Sequence, residues 1–204
     1  MLFSDVYQTI LSKSEGIFKD KGSKFIAYAY PFKDETKLKE ILESLKSEHP
    51  KARHYCFAYR LTPDRNVFRI NDDGEPSGTA GRPILNMLLS KDVTNILVVV
   101  VRYFGGTLLG VPGLINAYKM ATEDALNNAE IIIKTVQDVY QIEFQYPTMN
   151  EVMKLIKEED LESFDQKFDL ACELKLAINQ SETNKIIEKL GSVGGLEIKY
   201  LYTL

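Results

Sequence analysis

The chain has 204 residues with a net charge of −4, 45% hydrophobic and 26% charged residues, 12 glycines and 7 prolines, a globular composition that excludes disordered, collagenous and mucin-like chains. Its length asks for two domains or one large one. The longest unbroken apolar run, Ile96 to Val101, is far shorter than the about 20 residues of a membrane helix, so no membrane partner is expected.

The pattern opens with two β segments, about Tyr7 to Phe18 and Ser23 to Phe32, joined at Asp20-Lys21-Gly22 as a hairpin. Asp34 is placed to cap a helix whose apolar residues Leu38, Ile41, Leu42 and Leu45 fall on one face, and Pro50 marks its end. A second hairpin is expected from Tyr55 to Leu61 and Val67 to Ile70 around Thr62-Pro63-Asp64-Arg65-Asn66. Asn71 to Pro83 reads as a Gly/Pro/Asp-rich loop, Ile84 to Leu89 as a short helix, and Asn95 to Tyr103 as a central strand because it is apolar on both faces. Val111 to Asn128 is expected to be helical, and Ile131 to Lys134 a strand or a segment packed under the junction.

The remainder reads strand (Val136 to Tyr146), helix opened by the capping box Thr148-x-x-Glu151, strands Glu162 to Asp169 and Ala171 to Ile178, helix capped by Ser181, and strand Leu196 to Tyr202. That β-α-β-β-α-β order is the split βαβ signature of a ferredoxin-like domain, which sets a boundary between residues 1–134 and 135–204. Charge changes at the same point: the first segment carries net +2 and the second net −6. The N-terminus begins Met1-Leu2-Phe3-Ser4-Asp5 without a basic or apolar leader, and Cys56 and Cys172 lie 116 positions apart as free thiols, so a cytoplasmic location is expected.

All six arginines, Arg53, Arg60, Arg65, Arg69, Arg82 and Arg102, fall in one 50-residue window that also holds the three chemical constellations. In the first, Asp72, Asp73 and Glu75 precede Gly78, Thr79, Gly81 and Arg82 before a helix, which suits an ordered turn or an anion- or partner-docking loop better than a metal site. In the second, Arg102 and Tyr103 leave a central strand into Gly105, Gly106 and Gly110, without the lysine of a phosphate-binding P-loop. In the third, His54 and Cys56 share one strand face but sit about 6 to 7 Å apart, too far for a nucleophile and its base. The four His and Cys residues of the whole chain are too dispersed for zinc. Neither a metal nor a cofactor is expected.

These segments resemble the IMPACT family. The resemblance lies in Ala52-x-His54-x-Cys56-x-Ala58-Tyr59, in Asp73-Gly74-Glu75-Pro76-x-Gly78-Thr79-Ala80-Gly81-x-Pro83, and in Val98 to Gly106 with Leu109-Gly110-x-x-Gly113-Leu114. It implies an α+β protein: an N-terminal domain of the ribosomal-protein-S5 domain-2 type, with a left-handed βαβ crossover, and a C-terminal domain similar to the last domain of elongation factor G. It further implies translational regulation, the role of the eukaryotic members, with RNA, the ribosome or a translation-associated protein as partner, and it carries no catalytic residues. The expected contacts are Arg53, Arg60, Arg65, Arg69, Arg82 and Arg102, with Tyr55, Tyr59 and Tyr103 as stacking rings. The competing reading is a small hydrolase or transferase that acts on an anionic substrate through His54, Asp72, Asp73, Glu75 and Arg102. A meeting of the two glycine-rich loops at one end of the sheet is expected in either case, with the carboxylates closing on the arginines when no partner is bound.

Overall fold

A computed structural model describes residues 5–169 and 171–204; residues 1–4, on which the reading of the N-terminus as leaderless partly rests, lie outside it. The described residues divide into two compact units, one of residues 7–134 and one of residues 135–204 together with Asp5 and Val6.

In the first unit, β1 (Val6–Ile10) pairs with β7 (Ile131–Thr135) as a separate ribbon, so the expected first segment, Tyr7 to Phe18, is broken at residues 11–13. The elements between them are β2 (Ser14–Asp20), β3 (Ser23–Pro31), α1 (Leu38–Glu48), β4 (His54–Leu61), β5 (Val67–Asn71), α2 (Gly81–Ser90), β6 (Ile96–Tyr103) and α3 (Gly110–Asn127). Five of the strands form a sheet in the order β2-β3-β6-β4-β5, antiparallel throughout. The run that the sequence marks as apolar on both faces is its central strand. Leu97, Val99 and Val101 point to α1, while Ile96, Val98 and Val100 point to α2 and α3, and all six are fully buried. Asp34 caps a 3-10 turn (Glu35–Lys37) that runs into α1, its carboxylate accepting the Thr36 N–H at 2.9 Å.

The topology contains two crossovers. β3 reaches the parallel β4 through α1, and β5 reaches the parallel β6 through α2, each skipping one strand. The strand directions and the lateral steps are both reversed between the two, which alone would leave the hand unchanged. The helices lie on opposite faces of the sheet, so the two crossovers have opposite hands, and one is left-handed against the general preference.

Edge strand β2 is closed by α3. Asp124 accepts the Ile17 N–H at 2.8 Å, Ser14 donates to Ala125 O at 2.9 Å, and Asn128 donates to Glu15 O at 2.9 Å. A Cβ at Gly16 would stand 2.1 Å from Ala125 N, so only glycine lets the helix come this near.

The second unit contains β8 (Gln137–Gln145), α4 (Met149–Glu158), β9 (Glu162–Phe168), β10 (Ala171–Asn179), α5 (Thr183–Gly191) and β11 (Glu197–Thr203). Its antiparallel sheet runs β11-β8-β10-β9, the arrangement of two interleaved split βαβ units. Its core holds Ile142, Phe144, Leu174 and Leu176 from the sheet, and Val152, Ile156, Ile186 and Leu190 from the helices. Two expected caps do not form. Thr148 and Ser181 both sit inside 3-10 turns, Tyr146–Thr148 and Gln180–Glu182, and neither helix has a side-chain cap. Each turn continues directly into the helix behind it, so the serine or threonine already has helical geometry instead of the extended geometry a cap requires.

Candidate functional site

The two glycine-rich loops meet at one end of the five-stranded sheet. They do so because β4 begins and β6 ends there, with His54 directly opposite Arg102 on the α2 and α3 side. Residues 72–80 fold back over this pair and deliver Glu75, whose side chain is 3% exposed, onto Arg102 Nη1 at 2.5 Å. Tyr118 of α3 donates to the same Glu75 oxygen at 2.8 Å, and His54 Nε2 lies 3.9 Å from it. The Arg102 guanidinium is held between Phe25 and Phe104, with ring centroids 5.4 and 5.6 Å away, and its Nε is buried without a partner. The expected closed state, a carboxylate on an arginine across the two loops, is therefore present for Glu75 and Arg102. Arg82 is exposed and pairs with no carboxylate among the described residues.

The other two carboxylates have structural duties. Asp72 accepts the N–H groups of Gly78 (2.9 Å), Ala80 (3.0 Å) and Gly81 (2.8 Å), so it is the anion at the N-terminus of α2. The expectation that Gly78, Thr79 and Gly81 offer backbone donors to an outside anion is corrected on this point. Gly78 and Gly81 donate to Asp72, and Thr79 N–H bonds to Pro76 O at 3.0 Å. The same cap starts α2 at Gly81, three residues before the expected Ile84. Gly81 also allows contact with β5, since a Cβ there would stand 2.9 Å from Asn71 N. Asp73 accepts the Tyr55 N–H at 2.6 Å, and its carbonyl receives His54 Nδ1 at 2.8 Å, which places the proton of a neutral His54 on Nδ1.

Cys56 lies in this network as a buried thiol, donating to Asp72 O at 3.0 Å and lying 3.3 Å from the Tyr118 hydroxyl. Burial first, opposed by the Tyr118 hydroxyl and aided by the carboxylates nearby, pushes its pKa well above the usual thiol range, and burial does the same to Tyr118. A thiol held protonated is a poor nucleophile. Tyr118 is the participant that sequence reasoning missed. Its only signal was a tyrosine on the buried face of α3, among Leu114, Ala117, Ala121, Thr122 and Ala125.

The second loop is anchored differently. Gly105 N–H donates to Ser23 Oγ at 3.1 Å, and a Cβ on Gly105 would stand 2.0 Å from Gly22 C, so the β2–β3 turn and this loop touch backbone to backbone. Gly106 and Gly110 have φ of +85° and +73°, and Gly110 starts α3. Tyr103 is half-buried on the α1 side, where its hydroxyl pairs with His49 Nδ1 at 2.9 Å. His49 also meets the Tyr28 hydroxyl at 2.6 Å through Nε2, a structural role that the sequence left unassigned.

The arginine window does not form one surface. Arg102 is buried at this end, whereas Arg60 and Arg65 are at the other end, paired with Asp92 at 3.4 and 2.9 Å. Arg69 lies over the Phe57 ring with its Cζ 5.9 Å from the centroid. Arg53 and Arg82 are exposed. Tyr55 and Tyr59, expected as stacking rings, are core residues at 9% and 2% exposure, because alternation in β4 turns them under α1; of the three only Tyr103 is half-buried. A shallow cavity of about 300 Å³ opens at the opposite end, lined by Thr9, Phe32, Ile41, Asn95 and Lys134 among others, and none of the sequence-selected site residues lines it. Among the described residues no group of three His, Cys, Asp or Glu side chains is placed to hold a metal, and no helix is long and apolar enough to cross a membrane.

Comparison with known proteins covers the same segments. Residues 21–126 match the Impact N-terminal domain, a stretch that contains both loops, β4 and most of α3. An IMPACT family member of Haemophilus influenzae is 33% identical over 187 residues, covering 90% of this chain and 89% of that protein. The IMPACT family member YigZ of Escherichia coli is 34% identical over 164 residues, covering 78% and 80%. The crystal structure of a hypothetical protein superposes with a TM-score of 0.75 at 28% identity, over 98% of each chain. With the matched domain spanning the whole loop network and full-length relatives on both sides of the boundary, the chain belongs to the IMPACT family.

Proposed function

We propose that this protein is a translation-associated regulator without catalysis of its own, which engages RNA, the ribosome or a ribosome-bound protein mainly through residues 7–134. The observation that carries this reading is the state of the chemically capable groups. Glu75, Arg102, Asp72, Asp73 and Cys56 are each consumed in bonds that hold the two loops to the sheet. A hydrolase or transferase would need at least one of them free beside its base, and the Nε2 of His54 faces, at 3.9 Å, a Glu75 oxygen already bound by Arg102 and Tyr118. The cations Arg53 and Arg82 stay exposed at the surface of the same unit. What supports the translational setting is the family membership and the regulatory role that the resemblance implies for eukaryotic members; an IMPACT homolog of Saccharomyces cerevisiae is 34% identical over 94 residues, which is 45% of this chain and 36% of that protein. The net −6 of residues 135–204 disfavours that segment as a phosphate-binding surface. The finer domain assignments, S5 domain-2-like before residue 135 and elongation-factor-G-like after it, belong to this proposal, supported by the mixed-hand crossovers and the β11-β8-β10-β9 order. The test is co-sedimentation of the purified protein with ribosomes across a salt series. Association that weakens with salt is expected, and a protein that stays in the supernatant at every salt concentration overturns the reading.

A further inference from the structure

One feature of the α1 side of the sheet has no structural explanation. The register of β2 on β3 sets Lys19 directly opposite Lys24, and the register of β3 on β6 sets Lys24 opposite Tyr103. Neighbouring strands are about 4.8 Å apart, so the three side chains form a line across the sheet end. Arg53, whose N–H bonds to Arg102 O at 3.0 Å, continues it on the far side of Tyr103 as the chain enters β4. Like charges directly opposed on neighbouring strands oppose folding. Among the described residues no carboxylate lies within ion-pair distance of Lys19, Lys24 or Arg53. Asp20 falls on the other face by alternation, Asp73 is held by the Tyr55 N–H, and Glu15 and Glu48 lie further along the sheet beside Lys13 and His49. Lys19 and Arg53 are exposed and Lys24 is half-buried, and Lys21, in the turn that touches Gly105, adds a further exposed cation.

We propose that the row Lys19, Lys24, Tyr103 and Arg53 is a docking track for single-stranded RNA, with the cations on phosphates and one base stacked on the Tyr103 ring. The inference rests on the translational reading above and deepens it by naming the ligand and its site. An unpaired base needs a fixed aromatic face, and the Tyr103 ring is fixed, with its hydroxyl bound to His49 and the two rings edge to face at 5.9 Å. Cations flanking a fixed, half-buried ring suit a single strand better than an acidic peptide, which has no base to stack.

The test uses the full chain and an end-labelled short oligouridylate, followed by fluorescence anisotropy from about 50 to about 200 mM salt. Three phosphate contacts give a log-log slope near −2, at roughly 0.7 per contact for a single strand. The variant Lys19→Ser/Lys24→Ser/Arg53→Ser, with unchanged circular dichroism, is expected to bring that slope close to zero. Tyr103→Leu is expected to weaken binding roughly ten- to a hundredfold at an unchanged slope, while Tyr103→Phe keeps it. Absence of oligouridylate binding by the unaltered protein, an unchanged slope in the triple variant, or full affinity in Tyr103→Leu overturns the track. Binding of polyglutamate in place of oligouridylate also overturns it, in favour of an acidic protein partner. Ribosome co-sedimentation separates the two readings: equal sedimentation of the unaltered and triple-variant proteins removes the track and leaves the translational role, whereas no sedimentation of either removes the role itself.

Discussion

Glu75 and Arg102 form a buried ion pair, so their arrangement is costly to break and cheap to replace as a whole. Glu75→Ala leaves the Arg102 guanidinium, already lacking a partner at Nε, without its counter-charge in a site where its side chain is 6% exposed. A loss of about 3 to 5 kcal/mol in urea unfolding is expected. Glu75→Leu combined with Arg102→Met should recover most of it, because two apolar side chains of similar volume remove the desolvation penalty along with the pair. A catalytic pair would behave differently, since restoring stability would not restore activity. The thiol and phenol beside it make a second prediction. Burial raises Cys56 and Tyr118 above their ordinary values of 9.0 and 10.0, so the folded state holds both protons more tightly than the unfolded chain does. Their contribution to stability is complete below pH 9.0 and is lost as pH rises beyond it. Chemical unfolding at rising alkaline pH should show that decline, and Cys56→Ala should make it shallower. Cys56 should also resist thiol reagents until the protein unfolds. At this scale the sequence was partly legible: His54 and Cys56 on one strand face and a carboxylate closing on Arg102 both follow from spacing and charge. Asp72 as a cap was not legible, because its three N–H partners lie six to nine residues ahead, beyond the reach of any local capping pattern.

Helix starts show how far a local signal extends. Asp34 and Thr148 precede equally good helical patterns, yet only Asp34 caps, because its φ of −131° is extended while Thr148, at −84° and ψ −6°, is already helical. The choice is made by the chain leaving β8, not by the residue. α2 is the opposite case: it has no cap of its own at Ala80 and borrows a carboxylate from the end of β5. Asp72→Ala should therefore destabilise by about 2 kcal/mol, the upper end for a helix cap, since three donors lose one acceptor. Asp72→Asn, which keeps an acceptor but not the charge, should fall between the two. Hydrogen exchange at Gly78, Ala80 and Gly81 gives the check at residue level: these amides are expected to exchange much faster in Asp72→Ala, with β6 unaffected. Equal protection in both proteins would mean that the turn is held by its own backbone bonds.

For the whole molecule, periodicity and β-α-β-β-α-β order sufficed to read the second unit, because that order is itself the signature of the interleaved arrangement, including the pairing of its first and last strands, β8 and β11. The first unit exceeded that reading. Its β1–β7 ribbon joins residues more than a hundred positions apart, and the hand of a crossover leaves no trace in hydropathy. Each unit has its own buried cluster, Val98 and Val100 packing with α2 and α3 in one, Leu174 and Leu176 packing with α4 and α5 in the other. We therefore propose that the units melt as separate cooperative blocks. Leu176→Ala removes a fully buried side chain from the second cluster and should cost that block about 2 to 5 kcal/mol. Val100→Ala should act on the first block alone, at about 2 kcal/mol for the methyl groups lost and the cavity left. Calorimetry of the full chain is expected to resolve two transitions, with Leu176→Ala lowering one and Val100→Ala the other. If either substitution moves both transitions together, or a single transition carries the whole enthalpy, the units are one folding block. The oligouridylate track would then depend on residues 135–204 for its stability as well as on its own sheet.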